Sequence, residues 1–518
     1  MQPVLSADEM RSCDEAAIRD FGIAGMVLME NAGKAIAERC RDLSAPLQGK
    51  SVVVFCGKGN NGGDGFVAGR HLANAEAMVT IVLFDPPARF KGDAKQNLVI
   101  AQKIARKERE HLRFVRYSRS LLATLKPDLV IDGIFGTGFS GKLPASQAGA
   151  VRWMNAQRCP VVAVDIPSGI NGTSGVMANE AVRATETVTM GALKSGLIHN
   201  DGRERCGSIK VVDIGIPSVV FRRRRDQTML IGTADVRNAL PVRSQTAHKY
   251  AVGKVFVLAG SRGFTGAAAL AASAALRTGA GAVVLAAPDT VYPILAKKLS
   301  EVIVIPLPST PEGTIAPDAA ETIRERMEWA DSTVMGPGLS RNGETQSLVR
   351  ELVGSASGKL VLDADALTAI AGTNVLKSSK AEIILTPHSG EFSRLNNQSA
   401  KEIDRNRVDA ARNFLRQPRR TLVLKGAPTA VADGKGTVYL NSTGNPGMAT
   451  VGSGDVLSGI IGSLWAQGME AGAASWSGVF LHGLAGDLAA GERGQRSVVA
   501  GDLIEFLPKA FQQVGEGD

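Results

Sequence analysis

The sequence predicts an α/β protein of two domains, each a parallel β-sheet covered on both faces by helices. Three observations carry this. At 518 residues the chain is longer than one hydrophobic core serves, because single cores stop growing at roughly 250–300 residues. Short runs rich in Val, Ile and Leu alternate with helical segments, and continuous apolar strands separated by helices belong to parallel sheets buried on both sides. The alternation also starts twice, on either side of the basic run Arg222-Arg223-Arg224-Arg225.

In chain order, the first helix is expected to start at Ser6-Ala7-Asp8-Glu9, whose S-x-x-E form is a capping box. A second spans Met26 to Cys40, with Gly33 as its weak point. Strands follow at Val52–Phe55, Val79–Leu83, Leu129–Ile131, Val161–Val164, Thr187–Met190 and Ile209–Val212. The junction falls near residues 218–232. Beyond it come Val255–Leu258, Ala282–Leu285, Val302–Ile305, Thr333–Met335, Leu360–Leu362, Ile383–Leu385 and Thr421–Leu424. Thr429–Ala432 and Thr437–Leu440 flank Asp433-Gly434-Lys435-Gly436 as a hairpin, and three helices close the chain.

With 44% hydrophobic and 21% charged residues, the chain has the make-up of a globular protein and not of a disordered one. No apolar run reaches the ~18 residues that span a bilayer, and Asp8, Glu9, Arg11 and Asp14 interrupt any signal-peptide core, so no membrane partner is expected. Cys13, Cys40, Cys56, Cys159 and Cys206 are scattered and form no C-x-x-C pair, which suits separate thiols in a reducing cytoplasm. Of the formal charge of +9, the arginine run supplies four units. With little aromatic interleaving, that run reads as a solvated junction and not a nucleic-acid groove.

The most informative segment is Gly444 to Asp455, which leads directly into the apolar helix Val456–Ile461. Glycines let backbone N–H groups approach a phosphate, the helix N-terminus adds partial positive charge, and Asp455 at the helix start can act as a base toward an attacking hydroxyl. Phosphoryl transfer is the expected chemistry. In the first half, three polar loops follow strand ends: Gly57 to Gly65, Asp132 to Lys142, and Asp165 to Asn171. Ligands of open α/β sheets sit beyond such ends. Asn61, Asp132 and Ser168 offer oxygen atoms from the three loops, a set that suits a hard cation or else serves as turn and cap residues.

Those three loops resemble the NAD(P)HX epimerase family, the YjeF N-terminal domain, over roughly residues 5–215. The resemblance implies a Rossmann-like three-layer α/β/α domain over residues 1–220 that binds a hydrated nicotinamide dinucleotide and one potassium ion. In it, Asn61, Asp132 and Ser168 would hold potassium. The segments Asn60, Asn61, Gly62, Gly63, Asp64 and Gly136, Thr137, Gly138, Phe139, Ser140, Gly141, Lys142 would contact substrate, and Asp165 would transfer a proton.

The second half adds Gly336-Pro337-Gly338-Leu339, Asp363-Ala364-Asp365, Leu385 to Glu391, and Lys425 to Thr429. Together with the glycine loop these resemble the ADP-dependent NAD(P)HX dehydratases, implying a ribokinase-like α/β domain over residues 229–518. Ala267, Gly338 and His388 would then contact substrate, and Lys425, Gly426, Ala427, Pro428, Thr429 and Gly454 the nucleotide, with Asp455 catalytic. ADP would donate the phosphoryl group, magnesium would bridge nucleotide oxygens, and the chain would be a cytoplasmic homo-oligomer acting on NADHX and NADPHX. Val451, Ser453 and Ser389 depart from the Gly, Thr and Pro common in that family. His388 could be a ligand contact or a cap, and Asp363 and Asp365 functional or structural. His71, His111, His199, His248 and His482 suggest no constellation. The rival reading is a small-molecule kinase fused to a non-catalytic Rossmann-like binding module, since similar folds serve in RNA-decapping scaffolds and lipoprotein-associated proteins.

Overall fold

The computed structural model describes residues 1–222, 227–244, 246, 252–414 and 419–515. Arg223 to Arg225 and His248 lie outside the described residues. The chain divides into two compact units, residues 2–225 and 226–518, the second also holding Met1.

The first unit contains β1 (Gln2–Leu5), β2 (Ser51–Cys56), β3 (Met78–Leu83), β4 (Leu112–Arg116), β5 (Leu129–Gly133), β6 (Val161–Val164), β7 (Glu186–Met190), β8 (Leu193–Lys194) and β9 (Ser208–Val212). Seven of these form one sheet in the order β4-β3-β2-β5-β6-β7-β9, every pair parallel. The short β1 and β8 pair with each other in parallel. Because β2 has β3 on one side and β5 on the other, strand order reverses there, and a crevice opens beyond the C-terminal ends of β2 and β5.

Three helices frame that crevice: α1 (Ala7–Arg19), α2 (Gly25–Ser44) and α3 (Asn60–Asn74). The capping box starts α1, with Glu9 N–H donating to Ser6 Oγ at 3.2 Å and Ser6 N–H donating to Glu9 Oε2 at 2.6 Å. Gly33 is not a weak point of α2. A Cβ there would lie 2.3 Å from Val67 Cβ, so the missing side chain is what lets α2 pack closely on α3.

The second unit contains β10 (Thr228–Leu230), β11 (Lys254–Leu258), β12 (Ala282–Pro288), β13 (Ile303–Leu307), β14 (Ser332–Met335), β15 (Lys359–Leu362), β16 (Glu382–Leu385), β17 (Arg420–Leu424), β18 (Ala430–Ala432) and β19 (Val438–Leu440). Strands β13-β12-β11-β14-β15-β16-β17 are parallel in that order. Antiparallel β18 and β19 extend the sheet as the expected hairpin, and β10 pairs with β19. The helices that matter for the site are α4 (Thr265–Arg277), α5 (Ser389–Asn396), α6 (Ser453–Ala466), α7 (Ala471–Arg493) and α8 (Ala500–Val514). From Val456 to Ala466 every residue of α6 is buried, which explains why that helix is apolar on all sides.

Candidate active sites

In the first unit, the loop after β2 turns at Gly57 and starts α3 at Asn60. Asn61 ties the other two loops to this helix, its Nδ2 donating to Phe135 O at 3.0 Å and to Val164 O at 2.6 Å. Gly136 must lack a side chain because a Cβ there would sit 2.1 Å from Asn61 Oδ1. Asp132, fully buried at the end of β5, accepts Ser168 Oγ–H at 2.6 Å and Ser168 N–H at 2.7 Å. Burial pushes its carboxyl up to about 6 against the pull of the Ser168 hydrogen bonds. The three oxygen-bearing side chains thus converge, and Asp132 forms no ion pair with a cationic side chain among the described residues. A buried carboxylate without a counter-charge, beside the Ser168 hydroxyl, has the donor chemistry that suits a hard cation such as potassium.

Beside this cluster lies a cavity of about 140 Å³ lined by Asn60, Asn61, Asp64, Thr137, Asp165 and Lys194, with Asp14 and Met10 of α1 and Leu28 and Met29 of α2. Asp165 adopts φ 65°, a left-handed conformation uncommon for a residue with a side chain. Its Oδ1 accepts Thr189 Oγ1–H at 3.0 Å and Met190 N–H at 3.2 Å, and lies 2.6 Å from Lys194 Nζ. Burial pushes Asp14 up to about 6, opposed by Lys194 and assisted by Asp165. Burial and the charges of Asp165 and Asp14 hold Asp64 well above the usual carboxylate range.

The structure brings Asn60, Asn61, Asp64, Thr137 and Asp165 together around one cavity. Gly62 and Gly63 are buried in α3 and serve packing, Gly62 against Gly57 O and Gly63 against Met29. Phe139 turns into the apolar core beside Phe135, ring centroids 5.0 Å apart, while Gly138, Ser140, Gly141 and Lys142 are exposed. Lys194 and Asp14 were not legible as site residues, since neither lies in the three loops that the sequence singles out.

In the second unit, Gly452 at φ 91° caps α6, whose first turn carries Gly454 and Asp455. Lys425, which follows β17, reaches this helix start: a Cβ on Gly454 would lie 3.1 Å from Lys425 Nζ and 3.9 Å from Asp363 Oδ2. Lys425 Nζ donates to Asp363 Oδ1 at 2.8 Å and lies 4.0 Å from Glu391 Oε2. Burial works against its ammonium, but Asp363, Glu391 and Asp455 hold the group above its ordinary value. Asp455 is pushed up to about 7 by burial and by the negative charge of Asp363, with Lys425 opposing. That places a base near neutrality at the mouth of an anion-binding helix.

Asp363 is therefore a site residue, fully buried, with its Oδ2 lacking a hydrogen-bond partner among the described residues. Asp365 instead accepts Ser340 N–H at 2.8 Å and holds the Gly338 loop. Ala267 and Gly338 meet, a Cβ on Gly338 lying 3.1 Å from Ala267 Cβ. His388 caps α5, its Nδ1 accepting Gly390 N–H at 3.0 Å and Glu391 N–H at 3.2 Å, while the ring stays 58% exposed with Nε2 3.5 Å from Glu391 Oε1. Ser389 donates to Asp404 Oδ1 at 2.5 Å and accepts from Arg407, whose guanidinium donates to Lys425 O at 2.8 Å and fills the space at Gly426. Thr429 Oγ1 closes the same turn on Gly426 O at 3.0 Å, with Ala427 and Pro428 between them.

His482, expected to be ordinary, supports the glycine loop: its Nε2 lies 2.9 Å from Ser453 O and 3.3 Å from Ser453 Oγ. Burial lowers it to about 4, so the neutral ring donates to the Ser453 carbonyl. Asp487, also on α7, accepts Gly444 N–H at 2.8 Å and Asn445 Nδ2–H at 2.9 Å. Val451 is 97% exposed at the tip of this loop. Among the described residues, no group of three or more His, Cys, Asp or Glu side chains is placed to hold a metal ion. Asp363, Glu391 and Asp455 surround one lysine, a balance that a phosphate ligand would meet best with its own divalent cation, magnesium included.

Two families match the chain: the one described as YjeF-related protein N-terminus over residues 25–196, and the one described as NAD(P)H-hydrate dehydratase over residues 255–509. A bifunctional NAD(P)H-hydrate repair enzyme of Moorella thermoacetica is 42% identical over 99% of this chain and 97% of its own length. One of Salinibacter ruber is 38% identical over 99% and 97%. Among solved structures, an ADP/ATP-dependent NAD(P)H-hydrate dehydratase of Bacillus subtilis, co-crystallized with ATP and Mg2+, is 29% identical, covers 55% of this chain and 99% of its own, and has a TM-score of 0.49. The fold is the α/β pair expected, the first sheet in Rossmann-like strand order and the second a larger sheet, parallel but for its hairpin. With full-length relatives at this identity and both halves matched, the chain belongs to the family of bifunctional NAD(P)H-hydrate repair enzymes.

Proposed function

We propose that the first unit interconverts the R and S epimers of NADHX and NADPHX, and that the second converts the S form back to NADH or NADPH at the expense of ADP. The observation that carries the second assignment is the meeting of a helix N-terminus, Lys425 and a carboxyl pushed up to about 7 at Asp455. In that arrangement Asp455 takes the proton of the 6-hydroxyl, and the oxygen attacks the terminal phosphoryl group of ADP, releasing AMP. The amides of Gly452 to Asp455 and the Lys425 ammonium stabilise the charge on the transferring group. Elimination of phosphate with the C5 proton restores the ring double bond. Lys425 to Thr429 and Gly454 hold the nucleotide, and Ala267, Gly338 and His388 the substrate.

Potassium held by Asn61, Asp132 and Ser168 would supply a fixed positive charge that keeps the three first-unit loops together. Asn60, Asn61, Asp64, Thr137 and Asp165 face the epimer, and Asp165 moves its proton. The division at residues 1–220 and 229–518 follows the two compact units. No helix among the described residues is long and apolar enough to cross a membrane, and five scattered cysteines without a C-x-x-C pair accord with a cytoplasmic site of action. Homo-oligomerisation is checked by sedimentation. The function is tested by supplying an epimer mixture with ADP and following reduced-nicotinamide absorbance and free phosphate together. A phosphorylated product that accumulates without restored absorbance would make the second unit a kinase.

A further inference from the structure

The first-unit cavity contains a cation that substrate positioning does not explain. Lys194 is 1% exposed, yet its Nζ lies 2.6 Å from Asp165 Oδ1 and donates to Met190 O at 2.6 Å. Burying an ammonium is costly unless it is paired and hydrogen-bonded, and Lys194 has both partners at the cavity wall. Asp165 Oδ1 already receives two neutral donors, Thr189 Oγ1 and Met190 N, so the carboxylate is oriented without the lysine. All three recorded donors meet at Oδ1, and none binds Oδ2 among the described residues. Lys194 and Asp165 line the same cavity as Asn61 and Thr137, so one ligand can touch both.

We propose that Lys194 is the proton donor of the epimerisation, paired with Asp165 as the acceptor; this rests on the epimerase reading of the cavity. The substrate carbon C6 bears a hydroxyl and the ring nitrogen N1, and a carbinolamine inverts when its C–N bond opens and closes on the other face. Asp165 takes the hydroxyl proton and C6–O becomes a carbonyl. The C6–N1 electron pair leaves to N1, which takes a proton from Lys194. After rotation about C5–C6, N1 adds to the opposite face of the aldehyde, its proton returns to Lys194, and Asp165 returns its own to oxygen. No electrons are gained or lost, and both side chains end as they began. A nitrogen leaving without a proton would be a poor leaving group, so an acid must sit within reach of it.

The test uses the full chain, saturated with potassium and without ADP, and compares initial rates of R-form consumption. Lys194→Ala and Lys194→Met are expected to slow epimerisation by about 10²–10⁴-fold. Small primary alkylamines should then restore the Ala variant in a saturable way that follows amine basicity, and should not restore Asp165→Ala. Melting curves and ADP-dependent dehydration of the S epimer in the same preparations verify folding; should the Ala variant fail to fold, Lys194→Gln takes its place in the amine series. Variants that fold and stay within about threefold of the parent, or a loss that no amine repairs, overturn the assignment to Lys194. Asp165→Ala as fast as the parent would overturn the epimerase reading itself, whatever Lys194 does.

Discussion

Replacing Asp455 with Asn should abolish dehydration and stabilise the fold at the same time, because one cause underlies both effects. Burial and the charge of Asp363 raise the Asp455 carboxyl from 3.8 to about 7. A folded-state value above the unfolded one means that ionisation costs the folded state, so the cost grows above pH 3.8 and is complete above about 7. A shift of about three units corresponds to at most ~4 kcal/mol, and the solvent that reaches this partly exposed carboxyl leaves roughly 2 kcal/mol. Asn removes that cost along with the base. Dehydration of the S epimer is expected to fall by about 10²–10⁴-fold, while the midpoint of thermal unfolding rises at about pH 8 and converges with the parent as the pH falls toward 4. In the parent, kcat/KM should drop roughly tenfold from about pH 8 to about pH 6 as the base is protonated. Phosphate release and restored absorbance measure the rate, and calorimetry the stability. An Asn variant that dehydrates at the parent rate, or melts lower at about pH 8, refutes the reasoning.

Other expectations concern separate parts of the two sites. Gly454→Ala would place a methyl group 3.1 Å from Lys425 Nζ and should raise the KM for ADP while leaving epimerisation unchanged, as steady-state kinetics would show. ADP is expected to give a higher kcat/KM than ATP, and the reverse order would reassign the nucleotide pocket. Asp132→Asn should weaken the potassium dependence of epimerisation, read from rates in potassium against sodium or choline salts; unchanged dependence would move the cation elsewhere. A fragment of residues 1–220 is expected to fold and epimerise, since residues 2–225 form a compact unit of their own, and a fragment that aggregates would show otherwise.

Much of this was legible in the sequence where one physical rule dominates. Buried parallel strands are continuous apolar runs, and those predicted match β2, β6, β11 and β15 to within a residue or two. The edge strand β4 was missed because Arg113 and Arg116 interrupt its apolar character, and β10 because three half-buried residues carry no periodicity. Asp455 could be read from its own loop, since a carboxylate beside glycines at a helix start stands out locally. Lys194, Asp14 and His482 could not, because each reaches its site from an element distant in sequence: Lys194 through β8, Asp14 through α1, and His482 through α7. Gly33 shows the opposite error, since a propensity rule marked as weak a residue whose role is decided by a neighbouring helix.

One chain restores both epimers, and a single progress curve tests this. Purified full-length protein is given an equal mixture of the R and S forms with excess ADP and magnesium in potassium buffer. The account expects the entire mixture to return to reduced nicotinamide faster than spontaneous epimerisation allows, with one phosphate released per dinucleotide, and Asp165→Ala protein to stop rapidly converting once the S form is consumed. A parent curve that halts at the S fraction, or an Asp165→Ala curve identical to the parent's, would contradict it.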